Sequence, residues 1–202
     1  MPSSKKAASA RAKAPPARDE PRPLRTDRVF DKAREHFRDG DYGGALAIVN
    51  QILNRDPGNL DALALASGCQ SLQGHYDRAV DFDRRAVEAD PKSPQAWMTL
   101  ALDLSNLGDA EGAEEAYRRA AEIDPTRAAA WWHLACLAAR RGDADEALAD
   151  LEKAAAARPE YREEAKSQPE FAPLLEDPRF VAIVSGGKES DDPYAEWMRS
   201  GT

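Results

Sequence analysis

Cysteine, histidine, aromatic residues and long apolar runs are all scarce in this 202-residue chain. The two cysteines, Cys69 and Cys136, stand far apart without partner spacing, which excludes a disulfide framework and a zinc signature. The three histidines, His36, His75 and His133, share no common spacing, and no Gly-rich phosphate loop or nucleophile elbow accompanies them. Acid pairs such as Glu114-Glu115 and Glu163-Glu164 suit solvated helix faces better than acid–base catalysis. No catalytic residue, metal site, cofactor or small-molecule substrate is therefore expected, and the chain is read as not an enzyme. No apolar run approaches the ~18 residues that span a bilayer. The basic N-terminus is not followed by the apolar core of an export signal, so the expected location is cytoplasmic.

What the chain has instead is a period. Pro57, Pro91, Pro125 and Pro159 recur every 34 residues, and the first three follow an aspartate. Gly40, Gly74, Gly108 and Gly142 recur in the same phase, as do Ala45, Ala79, Ala113 and Ala147, and also Ile52, Ala86, Ala120 and Ala154. Each series has a role in a helical hairpin. Proline lacks an N–H and restricts the residue before it, so it separates units. Glycine permits the left-handed residue that closes a helix before a tight turn. Alanine lets adjacent helices approach closely, and Trp97, Leu100, Tyr117, Trp131, Leu134 and Leu151 fill the space between them.

The phase predicts helix pairs at 27–39 and 42–55, 60–73 and 76–89, 94–107 and 110–123, and 128–141 and 144–157. Ser93 before Pro94 reads as a cap followed by proline at the first helical position. Asp143 with Glu146 reads as a capping box.

Trp97, Leu100, Ala101, Leu104, Gly108, Ala113, Tyr117, Ala120 and Pro125 match a pattern that recurs at Trp131, Leu134, Ala135, Ala138, Gly142, Ala147, Leu151, Ala154 and Pro159. This pattern resembles the tetratricopeptide-repeat (TPR) family. The resemblance implies an all-α, right-handed α-solenoid of about four helical hairpins, at 26–59, 60–93, 94–127 and 128–161, with a C-terminal capping segment at 162–185. Lys32 and Asp83 depart from it, standing where the family has apolar residues. The family further implies that the first helices of successive repeats line a concave groove that holds a peptide. Carried over by repeat position, the groove residues are Phe30, Arg34, Phe37, Leu72, Met98, Leu102, Asn106, Trp132, Cys136 and Arg140. Adjacent helical residues point about 100° apart, so with Trp131 in the packing position Trp132 is expected to face the groove. Together with Phe30, Met98 and Leu102 it would form an apolar stripe. Some family members clamp a terminal carboxylate with Lys, Asn and Arg. The matching positions here hold Phe30, Arg34, Leu65, Gln95 and Thr99, so only Arg34 is cationic.

The flanks differ from the array. Residues 1–25 hold seven basic residues against two acidic ones, a balance of +5 in a chain whose total is −8. With almost no apolar side chains, this leader is expected to be disordered. Without aromatic residues it is not expected to recognise nucleic acid specifically. After Pro159 a polar capping helix is expected, and then a closing segment in which Phe171, Leu174, Leu175, Phe180, Ile183 and Val184 seal the last repeat. Residues 186–202 read as a flexible acidic tail, in which Tyr194, Trp197 and Met198 stand out as candidates to dock in the groove. The functional expectation is a bacterial scaffold or adaptor that binds an apolar or amphipathic peptide segment of another protein. The alternative is a chaperone or holdase for hydrophobic client segments.

Overall fold

Helix boundaries in this chain are set by a small group of residues used twice. The computed structural model describes residues 24–186, so the expectations for the basic leader up to residue 23 and for the tail with Tyr194, Trp197 and Met198 lie outside the described residues, while Leu24 and Arg25, expected to be disordered, are helical. Four helical pairs follow in order: α1 (Leu24–Arg38) and α2 (Tyr42–Leu53), α3 (Leu60–Leu72) and α4 (Tyr76–Ala89), α5 (Pro94–Leu107) and α6 (Ala110–Ile123), α7 (Ala128–Arg141) and α8 (Ala144–Ala157). A short α9 (Tyr161–Ser167), a 3-10 segment (Pro169–Leu174) and α10 (Pro178–Ser185) end the described chain. The first helix begins at Leu24 rather than near residue 27, and α2 stops at Leu53.

Each turn inside a repeat solves two termination problems at once. Gly40, Gly74, Gly108 and Gly142 adopt φ between 76° and 90°, a region closed to most side chains. The residue after each glycine donates its N–H back five residues, from Asp41 to His36, His75 to Gln70, Asp109 to Leu104 and Asp143 to Ala138, at 2.9 Å each. Three of these same residues then cap the following helix. Asp41 accepts from Gly44 N at 2.9 Å, Asp109 from Gly112 N at 2.9 Å, and Asp143 from Glu146 N at 3.1 Å. The expected capping box is only half made. Glu146 does not reach back to the cap, because its carboxylate is taken by Arg118 and Arg141. Between repeats, Ser93 Oγ accepts from Ala96 N at 3.2 Å, and Asn59 caps α3 in the same way at 3.0 Å.

Small residues set the helix spacing. Ala45, Ala79, Ala113 and Ala147 are fully buried, as are Ala120 and Ala154. Trp97 and Trp131 are tied to the proline that precedes their repeat, each indole N–H donating to the carbonyl of Pro91 or Pro125 at 2.9 Å. Besides packing on their neighbours in sequence, α1 touches α3 and α3 touches α5. α1, α3 and α5, the first helices of the first three repeats, thus lie side by side.

The closing segment packs on the fourth repeat. Phe171, Phe180 and Val184 are buried there, with Leu174 and Ile183 partly covered. Leu175 does not join them. It is 44% exposed, because it follows the 3-10 turn and faces outward. Tyr161, at the start of α9, is buried, so this helix is less polar on its inner side than expected.

Candidate peptide-binding groove

On α1, Phe30 is half-buried, and the exposed Arg34 guanidinium lies over its ring at 4.6 Å. Arg34 therefore presents an aromatic-backed cation and not one arm of a clamp. Phe37, a turn further along, makes an edge contact with Tyr42 at 5.6 Å. A Cβ built on Gly68 of α3 would sit 3.5 Å from the Phe37 ring. Phe37 thus packs from α1 against the Gly68 position of α3, at a spacing that a Cβ would also fit. Leu72 on α3 and Leu102 on α5 are 59% and 48% exposed. Met98 is partly buried, and Asn106 is exposed at the far end of α5. Gln95 is exposed, and its amide oxygen accepts from Arg127 at 2.9 Å.

The fourth repeat departs from expectation. Trp132 is 9% exposed and Cys136 8%, so neither lines an open groove. The Trp132 ring stacks on Tyr161 at 4.6 Å with planes 9° apart, and meets Phe171 edge-on at 5.7 Å. The helical phase does turn Trp132 away from Trp131, but the closing segment covers the side it turns to. Arg140 is exposed but engaged, donating to Glu170 at 2.7 Å. That pairing holds the Glu170 carboxyl below its usual range. The predicted stripe is therefore interrupted. Phe30, Phe37, Leu72, Met98 and Leu102 remain accessible in the first three repeats, while Trp132, Cys136 and Arg140 serve the attachment of the closing segment.

Both cysteines are free and buried. Burial pushes the Cys136 thiol up to about 12 and the Cys69 thiol up to about 11. His133 stacks on Tyr117 at 4.7 Å, and burial lowers its basicity, which suits a packed neutral imidazole. Among the described residues no group of three metal-ligating side chains converges, and no helix is long and apolar enough to cross a membrane.

A polar cluster lies apart from the expected groove residues, on α3, α4 and α5. Val49, Asp83, Tyr117 and Leu151 occupy one repeat position, and all four are buried. Asp83 and Asp103 are each 2% exposed. Asp103 accepts from Ser67 Oγ at 3.1 Å and from the Ser71 hydroxyl. Burial, with Asp103 alongside, pushes the Asp83 carboxyl up to about 8. The signal was an acid in a series of large packing residues, but its partner is 20 residues away.

Paired helices stacked in sequence order define a repeat scaffold. Two tetratricopeptide-repeat family models match the chain, one over residues 36–102 and one over residues 98–162. The chain belongs to the tetratricopeptide-repeat family. Its solenoid is similar to the crystal structure of MamA, at 21% identity, covering 81% of this chain and 96% of that one, with a TM-score of 0.67. It is similar to YrrB, described as a TPR protein with an unusual peptide-binding site, at 18% identity, 85% and 90% coverage and a TM-score of 0.64. It is also similar to the first TPR domain of Spaghetti (RPAP3) bound to the HSP90 peptide SRMEEVD, at 18% identity, 57% and 91% coverage and a TM-score of 0.53. No curated protein matches it in sequence. The family and the fold are those of a protein–protein interaction scaffold.

Proposed function

We propose that this protein is a non-enzymatic cytoplasmic scaffold whose inner face, over the first three repeats, holds an apolar or amphipathic segment of another polypeptide. The observation that carries the reading is the exposure of Leu72 and Leu102 on adjacent inner helices, with Phe30, Phe37 and Met98 half-buried on the same face. Exposed large apolar side chains aligned on one surface are characteristic anchors for a partner. An extended peptide gains from such a row by seating alternate side chains, and a helical one by seating an i, i+4 stripe. Peptide binding by YrrB and Spaghetti supports the general mode. A chain terminus held by a carboxylate clamp is disfavoured, because Arg34 is the sole cation at the matching positions and rests on Phe30.

Selection from a displayed peptide library on the full chain tests this reading. Selected peptides should carry apolar anchors, and the double substitution Leu72→Ser with Leu102→Ser should weaken binding by about tenfold or more, on the scale of one or two lost anchor contacts. Val181→Ser with Leu175→Ser, two exposed apolar residues of the closing segment, should leave affinity unchanged. Equal binding by the groove variant would overturn the assignment. Suppressed aggregation of several unrelated unfolded clients would identify a holdase instead.

A further inference from the structure

Buried polar side chains are not spread evenly through this solenoid. Among the described residues, five polar or charged side chains are buried: Ser67, Gln70, Asp83, Asp103 and Asp150. The first four lie on α3, α4 and α5. The apolar core is discontinuous in the same place. One cluster, with Val49, Leu53, Leu63 and Ala86, belongs to the first two repeats, and another, with Val80, Leu100, Leu104 and Tyr117, begins at α4. Where the two meet, two carboxyls stand in place of apolar contacts.

We infer that the junction between the second and third repeats is a proton-controlled hinge, closed while Asp83 holds a proton and loosened when that proton leaves. The geometry supplies each part. Asp103 receives two hydroxyl donors, from Ser67 and Ser71. Asp83 Oδ2 is buried without any partner. A proton on Asp83 makes it a donor beside the carboxylate of Asp103. Without that proton, two negative charges share a nearly water-free site, the arrangement that makes one of two adjacent carboxyls hold its proton. Among the described residues no salt bridge or hydrogen bond brings a cation to either carboxyl. From α3 the neighbours are the Ser67 and Ser71 hydroxyls, while the buried Gln70 is turned to His75. From α5 there is Asp103 itself. Behind it come Tyr117 of α6, whose buried phenol is pushed up to about 12, and then Cys136 and His133 of α7, both uncharged when buried. On α4, Arg85 is turned to the Phe82 ring and the Pro57 carbonyl, and Arg84 is exposed.

The direction of the effect follows from linkage. Folded Asp83 keeps its proton up to about pH 8, whereas an unfolded aspartate releases it near pH 4. Between those values the open form binds fewer protons, so rising pH favours opening, and the effect levels off above pH 8. Because each repeat contacts only its neighbours, the loosening stays local to the junction. Ser71 and Leu72 are adjacent on α3, so the same motion reaches the groove.

Native-state hydrogen exchange of the full chain from pH 5.5 to 9, corrected for intrinsic rates, tests the inference. Protection of α4 and α5 should fall by up to about tenfold per pH unit between pH 6 and 8, while α7 and α8 hold. Asp83→Asn keeps the donor and removes the titration, so it should hold protection flat across the range. A wild-type profile without pH dependence at α4 and α5 would overturn the hinge, as would equal dependence in Asp83→Asn. If that variant fails to fold, Asp83→Leu, with the residue of the equivalent Leu151 position, serves the same comparison.

Discussion

Replacing Trp132 with alanine separates two roles for this side chain, groove anchor and fastener of the closing segment. Trp132 is 9% exposed, stacks on Tyr161 and meets Phe171 edge-on. Truncating a buried tryptophan costs about 3–5 kcal/mol, and the lost aromatic pairings belong to that figure rather than adding to it in full. For a chain of this length each kcal/mol lowers the midpoint by roughly 2–4 °C, so the expected fall is about 10 °C. The loss should also be local. Tyr161 and Phe171 lose a common partner, and α9, the 3-10 segment and α10 should come away from α7 and α8 before the rest unfolds. Thermal melts by circular dichroism read the midpoint, and trypsin reads the location. Cleavage after Lys166 and Arg179, both exposed in the closing segment, should accelerate in the variant while cleavage in the second and third repeats stays slow. A midpoint within about 2 °C of wild type, combined with lost peptide binding, would refute this reasoning and return Trp132 to the groove.

Two further outcomes follow from single residues. Gly108→Ala should cost about 1–2 kcal/mol in chemical denaturation, since φ is 90° and a Cβ there would meet nothing within 4 Å, leaving backbone strain as the only penalty. A neutral result would mean that the turn relaxes to another conformation. Iodoacetamide at pH 8 should modify neither Cys69 nor Cys136 in the folded protein and both after denaturation, because burial shields the thiols and pushes them up to about 11 and 12. Labelling of Cys136 at an ordinary thiol rate would show that the closing segment opens readily.

Much of the architecture was legible because its determinants are local. Asp109 closes α5 with its backbone and caps α6 with its side chain, and both acts involve residues within five positions of it. Gly108, Ala113 and Pro125 act within one hairpin in the same way, so a 34-residue period in sequence becomes a repeat in space. The different surroundings of Trp131 and Trp132 were legible for the same reason, since helical phase alone turns them apart. What covers Trp132 was not. Phe171 lies 39 residues beyond Trp132, and only the path of the chain through α8 and α9 brings it there. Asp83 and Asp103 show the limit from the other side. Asp83 is visible in the sequence as an acid at a packing position, but Asp103 is not, and their proximity depends on how closely α4 and α5 approach. Local residues fixed most helix ends and apolar faces, with the start of α1 and the end of α2 the exceptions. The tertiary structure alone decided which inner residues stay open to a partner, because burial is a property of the neighbours a residue meets and those neighbours come from distant segments.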